Sequence, residues 1–508
     1  MTKKTALEKR IKRRITARTH RFFAVCSPGL KRLCYTEIVA LAQKINPDSS
    51  SLLQDKKINP DNSSLLQDNE SMIPSVLEGN ESIIPSVSQG NESIIPSVSQ
   101  GNESITVTSV SNTSVSSHGL SPLAFEDIAI IPGGVEFTGS VRDCYAANLY
   151  LGSPSRILMR IAKFRAENFR TLEKKLGEIE WELYLRPGIS VKYEVSTASS
   201  RLYHSDAVAQ RAQQVIEAYL QNQCGNCLDA RKHAGGMQNI MIRGEDDLFE
   251  ISIDSSGELL HKRGLKENVG AAPLRETIAF GILSAMGYSG DLPLIDGMCG
   301  SGSFALEAAM IACNIPPGFF RKFAFEQWPC FTIGTWNHMK KNARKNIVDQ
   351  TSITSRSPVF AVDTDGTLLS FLQKTIDNYP LLSSIKTIKS DFFDLVPKEM
   401  IITGQGVSAN SARGMGKAGM NNSDGRRKAG LNKGFVVLNP PYGKRIGNNS
   451  NIDQIYADIG NKLEADFRGW CAAVIVPDKR LLGHLPGNKS LVALFHGGLE
   501  IHAAIIQL

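Results

Sequence analysis

The chain has 508 residues, a hydrophobic content of 42% and a formal net charge of +7 at pH 7. This length exceeds what one hydrophobic core usually serves, so two or three globular domains are expected. No apolar run reaches about 18 residues, which excludes a conventional membrane-spanning helix and predicts no membrane partner. The nine cysteines, an odd number scattered along the chain, suit a reducing compartment, so we expect a cytoplasmic protein.

The chain begins with a predicted basic arm at residues 1–20. Nine Lys or Arg residues fall within the first 21 positions, against Glu8 alone, and the apolar core of a secretory signal is missing. Such an arm could contact phosphates, form an unstructured solubilising tail, or act as an organelle or nuclear address. The charge run does not choose among these.

Residues 21–144 are predicted to form an N-terminal ferredoxin-like region. Residues 21–30 followed by a helical pattern to Ala42 predict a strand, a loop and a helix, and residues 126–138 predict a hairpin. Between them, residues 44–56 recur at 57–69, and an eleven-residue unit runs three times from Ser71. These units are short, polar and broken by Pro and Gly, so they predict a disordered insert at 44–118; a short β-solenoid is the alternative.

Residues 145–256 are predicted to form a small α+β domain. Ser155–Ile161 alternates basic and apolar residues, and Ser200–Ser205 precedes a predicted helix at 206–221. Taken alone, this pattern fits a domain with a few surface cations. The pair Cys224 and Cys227 has only His233 nearby, whereas a closed zinc site needs a fourth ligand, so no metal is predicted.

A nucleotide-binding α/β unit is predicted to open at residues 294–307. The apolar run that ends at Asp296 enters a Gly/Ser turn and is followed by a helical pattern. Gly300 and Gly302 would let the backbone approach a ligand closely. The turn lacks the third Gly of the dinucleotide fingerprint and has no G-K-[ST], so phosphate binding is not indicated; a tight turn without ligand is the alternative.

Carboxylates follow the next two predicted strands. Asp363, and more weakly Asp365, ends the run 358–362, where an acid can accept hydrogen bonds from a ribose. Asp391, followed by Asp394, comes after the run 385–390 and could accept from an adenine amino group. Each of these is singly more typical of a helix cap or a solvated loop. Their order at successive strand ends favours one ligand edge, because open α/β sheets bind ligands there.

The tetrapeptide Asn439-Pro440-Pro441-Tyr442 closes the apolar strand 435–438 and is suited to holding a planar exocyclic amine. The Asn439 side-chain oxygen and the Pro440 carbonyl can accept both amine hydrogens, and the prolines carry no N–H. Tyr442 offers a face on which a base can stack. A proline-rich turn after a buried strand is the structural alternative.

Residues 257–508 resemble class I S-adenosylmethionine-dependent methyltransferases. More narrowly, the chain resembles the bacterial 23S rRNA guanine-N2 methyltransferases that carry an N-terminal THUMP domain. The resemblance rests on His261–Gly264, Ala272–Thr277, Asp296–Ser303 and Asn439–Gly447. The chain departs from the family pattern at Gly297, where the family has Pro, at Ser303, where it has Thr, and at Lys444, where it has an acid.

The resemblance implies an α/β fold: a Rossmann-like, seven-stranded methyltransferase domain at 257–508, preceded by ferredoxin-like and THUMP (145–256) domains. It implies S-adenosyl-L-methionine as cofactor and ribosomal RNA as partner; the oligomeric state stays open. The implied catalytic residues are the tetrapeptide 439–442. The implied cofactor-binding residues are Asp296, Met298, Cys299, Gly300, Ser301, Gly302, Ser303, Asp363, Asp365 and Asp391. The implied RNA-binding residues are Arg156, Arg160, Arg201, Lys262 and Arg263.

Other functions stay open at this stage. A DNA adenine-N6 methyltransferase uses the same tetrapeptide, a protein glutamine methyltransferase is a further option, and a non-catalytic RNA-binding or ribosome assembly factor is the main alternative outside enzymes. An insert at 404–433, rich in Gly, Asn, Ser, Lys and Arg, precedes the catalytic strand. It is expected to be a flexible surface insertion or a basic loop that touches RNA.

Overall fold

The computed structural model describes residues 3–45, 125–224, 236–266, 273–348, 357–403, 433–441, 452–496 and 498–508. Most of the predicted inserts, together with Cys227 and Tyr442, lie outside these residues, so the predictions made for them stay predictions. Where the chain is described, it forms two seven-stranded sheets, one from each half.

The N-terminal sheet is largely antiparallel. Its strands are β1 (His20–Val25), β2 (Glu126–Ile131), β3 (Gly134–Gly139), β4 (Arg156–Arg165), β5 (Ser190–Ala198), β6 (Met237–Glu245) and β7 (Leu248–Asp254). They lie in the order β2-β3-β1-β4-β7-β6-β5, and only β5 and β6 pair in parallel. The predicted hairpin is confirmed, since β2 and β3 pair across a turn in which Gly133 has φ +84°.

Five helices are described in the N-terminal half: α1 (Lys3–Ile11), α2 (Lys31–Ile45), α3 (Val141–Tyr150), α4 (Phe169–Gly177) and α5 (Ser205–Cys224). The predicted strand, loop and helix at 21–42 correspond to β1 and α2, and the predicted helix at 206–221 corresponds to α5. A capping box starts α3: the Ser140 N–H donates to Asp143 Oδ2 at 2.6 Å, and Ser140 Oγ accepts from the Asp143 N–H.

The basic arm is a packed helix rather than a free tail. After α1 a π-helical turn, Lys12–Thr16, continues the helix, and Ile11 and Ile15 are buried in the N-terminal core. Arg10 lies 2.8 Å from Glu182. The alternative of an unstructured tail is therefore wrong for this segment, because two isoleucines one helical turn apart give it an apolar face.

The two predicted N-terminal domains form one structural unit. The predicted border at residues 144 and 145 falls inside α3, and β1 from the first region pairs with β4 from the second over Phe22–Val25. The continuous sheet joins the regions because β1 lies between β3 and β4. Whether this unit is a THUMP domain stays a prediction.

The C-terminal sheet has the predicted Rossmann-like form. Its strands are β8 (Leu294–Asp296), β9 (Val359–Asp363), β10 (Ile385–Lys389), β11 (Phe435–Leu438), β12 (Cys471–Val476), β13 (Lys489–His496) and β14 (Leu499–Gln507). The order is β10-β9-β8-β11-β12-β14-β13, with the first five parallel and β14 antiparallel to both of its neighbours. The helices described here are α6 (Glu276–Ala285), α7 (Ser303–Ala312), α8 (Ile333–Asn346), α9 (Gly366–Asn378), α10 (Pro397–Thr403) and α11 (Ile452–Asp466).

Both faces of this sheet are buried, as parallel sheets require. Successive residues of β9 alternate between two cores: Val359 and Ala361 belong to one, and Phe360 and Val362 to the other. The strand order reverses between β8 and β11, which are parallel neighbours. Their carboxyl ends therefore flank the crevice in which sheets of this class bind ligands.

The connection between α7 and β9 docks on the N-terminal unit. Phe325 stacks on Tyr145 with ring centroids 4.3 Å apart, and Trp336 of α8 is buried in the same core. Arg321 donates to the carbonyls of Leu259 and Lys262 at 2.8 and 2.9 Å. Buried aromatic contacts of this kind hold the two halves together, since each ring buries a large apolar area.

No helix in the described part of the chain is both long and apolar enough to cross a membrane.

Candidate active site

Four polar side chains predicted from the sequence lie at one edge of the C-terminal sheet. Asp296 is the last residue of β8, Asp363 the last of β9, and Asn439 the first after β11; Asp391 follows β10 by two residues. Because the four strands are parallel neighbours in the order β10-β9-β8-β11, their carboxyl ends meet at the same edge. The predicted grouping of these residues is therefore present in the fold.

The loop after β8 takes a conformation that suits glycine. Gly300 has φ +53° and Gly302 has φ +76°, both in the left-handed region. A Cβ added to Gly302 would lie 2.7 Å from Leu372 Cδ2, so a side chain there would have to displace Leu372 of α9. At Gly300 an added Cβ meets nothing within 4 Å among the described atoms, so this side of the loop is open for a ligand to approach.

Asp363 holds the loop as well as facing the crevice. Its Oδ2 accepts from the Gly300 N–H at 2.7 Å and its Oδ1 from the Asp365 N–H at 2.9 Å. A carboxylate oxygen has two lone pairs, so each oxygen keeps one for a ribose hydroxyl. Asp363 thus couples the loop to the strand end where a ribose is expected.

Asp365 and Asp391 cap helices. Asp365 Oδ1 accepts from the Thr367 N–H at 2.8 Å at the start of α9, and Asp391 Oδ1 accepts from the Phe393 N–H at 3.1 Å. Asp365 is exposed and only its Oδ1 serves the cap, so its role as a cofactor contact stays a prediction. Asp391 is exposed at the end of β10, which leaves its other carboxylate oxygen accessible to a ligand.

Asp296 is a buried carboxyl that fastens β8 to α7. Its Oδ2 accepts from the Ala305 N–H at 3.1 Å, and its Oδ1 has no partner among the described residues. Burial raises the pKa of Asp296 to about 8; the charge of Asp363 adds to the rise, while the Ala305 hydrogen bond and Lys266 oppose it. The carboxyl is thus poised to ionise when a cation enters the crevice.

Met298 and Cys299 belong to the packing of the loop. Met298 packs against the core that contains Phe392, and Cys299 is buried with its N–H donated to the Val362 carbonyl at 3.0 Å. Burial raises the pKa of the Cys299 thiol, so the reactive thiolate is disfavoured. This agrees with a small packing residue rather than a nucleophile.

Gly297, where the resembling family has Pro, fits its local space. An added Cβ would lie 2.6 Å from Phe392 Cδ2 and 2.7 Å from Leu438 Cδ2. The Phe392 ring therefore occupies the volume a larger residue would need. The Gly297 N–H donates to the Val437 carbonyl at 3.0 Å, which keeps the loop in register with β11.

Asn439 carries a buried acceptor without a partner. Its Oδ1 is inaccessible to solvent and makes no hydrogen bond to any residue that the structure describes. An unsatisfied buried carbonyl oxygen costs about 1–3 kcal/mol, so a donor from a ligand would stabilise it. Pro440 is buried and Pro441 exposed, whereas Tyr442 lies outside the described residues. The structure thus places an oxygen without a described partner at the end of β11, and the catalytic role of Asn439 stays a prediction.

Arg263 is structural, which contradicts its prediction as an RNA contact. Its side chain is 3% exposed and donates to both carboxylate oxygens of Glu307 at 2.9 and 3.2 Å. It also donates to the carbonyls of Gly152 and Leu260. A guanidinium that is buried and makes four hydrogen bonds in this way cannot reach a phosphate without breaking the junction between the two halves.

Arg156 and Arg160 are likewise engaged inside the N-terminal sheet. Arg156 pairs with Asp254, which is buried, and Arg160 lies 2.8 Å from Glu250 and 3.6 Å from Glu136. Their side chains are only 13% and 8% exposed. Cross-strand carboxylates neutralise both cations, so their prediction as RNA contacts is wrong in this conformation.

Arg201 and Lys262 remain available to a partner. Arg201 is 67% exposed beside Glu167 and Asp247, and Lys262 is 58% exposed at 3.2 Å from Glu258. Exposed pairs of this kind contribute little to stability, so a phosphate can replace the carboxylate at small cost.

Two charged residues beside the loop after β8, Lys266 and Glu276, were not among the site residues predicted from the sequence. Lys266 Nζ lies 2.8 Å from Glu276 Oε1 and 2.8 Å from Ser303 Oγ. The side chains are 8% and 11% exposed. Both belong to or closely follow motifs quoted for the resemblance, but the sequence does not reveal that they converge on the loop.

No group of three or more His, Cys, Asp or Glu residues within the described ranges is arranged to hold a metal ion.

Comparisons with known proteins agree with this geometry. Residues 263–405 and 419–493 match the model of the family described as UPF0020, RMKL-like, methyltransferase domain. A putative RNA methyltransferase of Synechocystis, slr0064, is 28% identical over 72% of this chain and 86% of its own length. The ribosomal RNA large subunit methyltransferase K/L of Methylococcus capsulatus is 28% identical over 77% of this chain.

The chain spans 49% of the length of that K/L protein. Among solved structures, SMU.472, a putative methyltransferase complexed with SAH, shares the fold with a TM-score of 0.64 at 20% identity, over 96% of this chain and 98% of its own. The predicted class I methyltransferase fold is confirmed. The C-terminal part of the chain, over residues 263–405 and 419–493, is therefore similar to the RMKL-like methyltransferase domain.

Proposed function

We propose that the protein transfers a methyl group from S-adenosyl-L-methionine to the exocyclic N2 amine of a guanine in large-subunit ribosomal RNA. The cofactor prediction is supported by the methyltransferase domain and by the fold neighbour complexed with SAH. The RNA substrate is supported by relatives named as RNA methyltransferases. The choice of a guanine N2 atom rests on the chemistry of the site and on the family resemblance.

The unpartnered Asn439 Oδ1 is the observation that carries the proposal. A base amine conjugated with its ring is planar and weakly nucleophilic, so it must be oriented before it can react. Asn439 Oδ1 and the Pro440 carbonyl can accept its two hydrogens and direct the nitrogen lone pair toward the crevice. The same two oxygens stabilise the positive charge that grows on nitrogen as the new bond forms.

S-adenosyl-L-methionine would supply a methyl group already activated on a sulfonium, so no strong base is needed to deprotonate the amine before it attacks. Asp363 keeps lone pairs for the ribose, and the open side of Gly300 lets the backbone approach the ligand. Asn439 holds the amine on the neighbouring strand end. The proton can leave to water after methyl transfer, once the nitrogen is cationic and acidic. The Asp363 carboxylate gives the crevice a negative potential that suits a sulfonium, and the buried Asp296 can ionise in response to that cation.

The direct test is methyl transfer from labelled cofactor to ribosomal RNA from a strain that lacks the gene, compared with duplex DNA. Nucleoside mass spectrometry should find N2-methylguanosine in large-subunit RNA. Label in N6-methyladenine of DNA would replace this proposal with the DNA methyltransferase alternative. Cofactor binding without transfer to either nucleic acid would favour the non-catalytic assembly factor.

Asp363→Ala is expected to weaken S-adenosylhomocysteine binding by about 10- to 100-fold, because it removes charge-assisted hydrogen bonds to the ribose and to the loop. Turnover at saturating cofactor should stay within a few-fold of wild type. Calorimetry measures the first and initial rates the second. Asp365→Ala is the matched control: it loses a helix cap worth about 1 kcal/mol of stability but keeps binding. Equal weakening of S-adenosylhomocysteine binding in both variants would refute the role of Asp363 in holding the ribose.

The outer face of α8 is a candidate RNA contact in place of the buried arginines. This helix has four Lys or Arg residues and no Asp or Glu. Lys341, Arg344 and Lys345 are exposed, and none of them makes an ion pair with a residue in the described ranges. The opposite face anchors the helix in the N-terminal core through Trp336 and Met339. An anchored cationic stripe fits a phosphate backbone.

The triple variant Lys341→Gln/Arg344→Gln/Lys345→Gln is expected to reduce the slope of log affinity for ribosomal RNA against log salt by about two to three. Filter binding at several salt concentrations measures this. The control triple Lys374→Gln/Lys398→Gln/Arg468→Gln removes equal charge from exposed positions of the C-terminal half that lie outside α8. A similar slope change in both triples would show a non-specific charge effect and exclude α8 as the contact.

A further inference from the structure

The carboxyl end of β12 lies next to Asn439. Strands β11 and β12 pair in parallel with Leu438 opposite Val474, so Asn439 is level with Ile475. Neighbouring strands are about 4.8 Å apart, and three residues span at most about 10 Å. The turn 479–484 is a short 3₁₀ helix that begins three residues after the end of β12. It therefore starts beside the position proposed for the target amine.

The turn 479–484 is anchored in the core and carries cations on its outer side. Leu481, and Leu485 just after the turn, are buried in one of the two cores that flank the C-terminal sheet. Asp478 Oδ1 accepts from the Arg480 N–H at 2.9 Å and so caps the start of the turn. Lys479 and Arg480 are exposed. The packing thus fixes the backbone while two cationic side chains remain in contact with solvent.

These two cations are weakly engaged within the protein. Among the described residues, Arg480 pairs with Asp478 alone, at 3.0 Å, and the two side chains are 63% and 53% exposed. Lys479 makes no ion pair with any residue in the described ranges. Exposed pairs contribute little to stability, so a phosphate can replace the Asp478 carboxylate at small cost.

The two sides of Asn439 along the sheet edge differ in charge. On one side, β8 and β9 carry the loop and the Asp363 carboxylate that are predicted to bind the cofactor. On the other side lies β12, because the strand order is β9-β8-β11-β12. With the cofactor over β8 and β9, the β12 side is left for the nucleotide whose base reaches Asn439. An anionic backbone fits that side, since Lys479 and Arg480 lie there.

We propose that Lys479 and Arg480 bind the backbone phosphates of the nucleotide whose base is held at Asn439. The inference rests on the proposed function and adds two positioning residues to it. A base that leaves its stack to reach an enzyme loses stacking and pairing energy. Phosphate contacts beside that base offset part of the loss and fix its register, without reading its sequence. Neither cation is assigned a contact with the reacting atoms.

The test measures RNA binding and methyl transfer with the full chain and ribosomal RNA from a strain that lacks the gene. Lys479→Gln/Arg480→Gln should reduce the slope of log RNA affinity against log salt by about 1.5 to 2, because two phosphate contacts are lost. The RNA concentration that gives half the maximal single-turnover rate should rise by about 10-fold. The rate at saturating RNA should stay within a few-fold of wild type, because the acceptors around the amine are intact.

Two matched variants separate this contact from a general effect of charge. Lys479→Arg/Arg480→Lys keeps both charges and should keep the salt slope within experimental error. Arg468→Gln/Lys489→Gln removes the same charge from the opposite edge of the sheet, where β12 and β13 begin, and should also keep the slope.

Equal slope changes in the two Gln double variants would overturn the inference. An unchanged slope and an unchanged half-saturating RNA concentration in Lys479→Gln/Arg480→Gln would overturn it as well. The proposed function fails separately: wild-type protein that binds RNA but methylates none would refute it, while a slope difference between the two double variants would still support the phosphate contact.

Discussion

Asn439→Ala is expected to lower kcat for RNA methylation by about 10²- to 10³-fold while the cofactor still binds with nearly wild-type affinity. The size follows from losing a preorganised acceptor at the atom where charge develops, which costs about 3–4 kcal/mol in comparable sites. Single-turnover rates at saturating cofactor and RNA measure the chemical step. Calorimetry with S-adenosylhomocysteine measures the binding.

Asn439→Asp is the matched variant, because it keeps an oxygen acceptor at the same position. It should retain more activity than Asn439→Ala, although its charge perturbs the neighbouring carboxylates. If Asn439→Ala instead lost cofactor binding and turned over normally once the cofactor saturates, Asn439 would be a cofactor-binding residue. Its assignment as the residue that orients the amine would then be wrong. A stability gain in Asn439→Ala is also expected, since the variant no longer buries an unsatisfied oxygen.

The candidate site was largely predictable because it is built from strand ends. An apolar run followed by Asp or Asn indicates the carboxyl end of a buried strand, and parallel strands bring such ends together. Asp296, Asp363 and Asn439 meet for this reason. The pattern does not separate ligand contacts from caps, so Asp365 was grouped with Asp363 although it caps α9.

The predictions that the structure contradicts concern arginines expected to contact RNA. A sequence shows that a residue is charged, but it does not show which residue pairs with it. Arg160 is neutralised by carboxylates on β3 and β7, and the partner of Arg263 lies 44 residues away on α7. Spacing within the sequence gives no sign of either pairing. The packed α1 is different: Ile11 and Ile15 already stand one turn apart, and that periodicity was available in the sequence.

Arg263→Met is expected to lower the free energy of unfolding by about 3–5 kcal/mol, because it leaves Glu307 as a buried carboxylate without its counter-charge. The double variant Arg263→Met/Glu307→Leu should recover much of this loss, since two apolar residues replace a desolvated pair. Denaturant unfolding measures all three proteins. If the double variant were as unstable as the single one, the hydrogen bonds from Arg263 to Gly152 and Leu260 would outweigh the charge.

The stability of the single variant Arg263→Met should depend on pH in a defined direction. Burial already raises the pKa of Glu307, and Arg263 opposes the rise, so its removal raises the pKa further. In the folded variant Glu307 then binds a proton that the unfolded chain releases, and stability falls as pH rises above the ordinary pKa of a glutamic acid. The destabilisation relative to wild type should therefore be larger at pH 8 than at pH 5. The RNA affinity of the folded Arg263→Met protein should not change, because a 3% exposed guanidinium makes no contact with phosphate. A smaller slope of log RNA affinity against log salt in this variant would show that Arg263 does contact RNA.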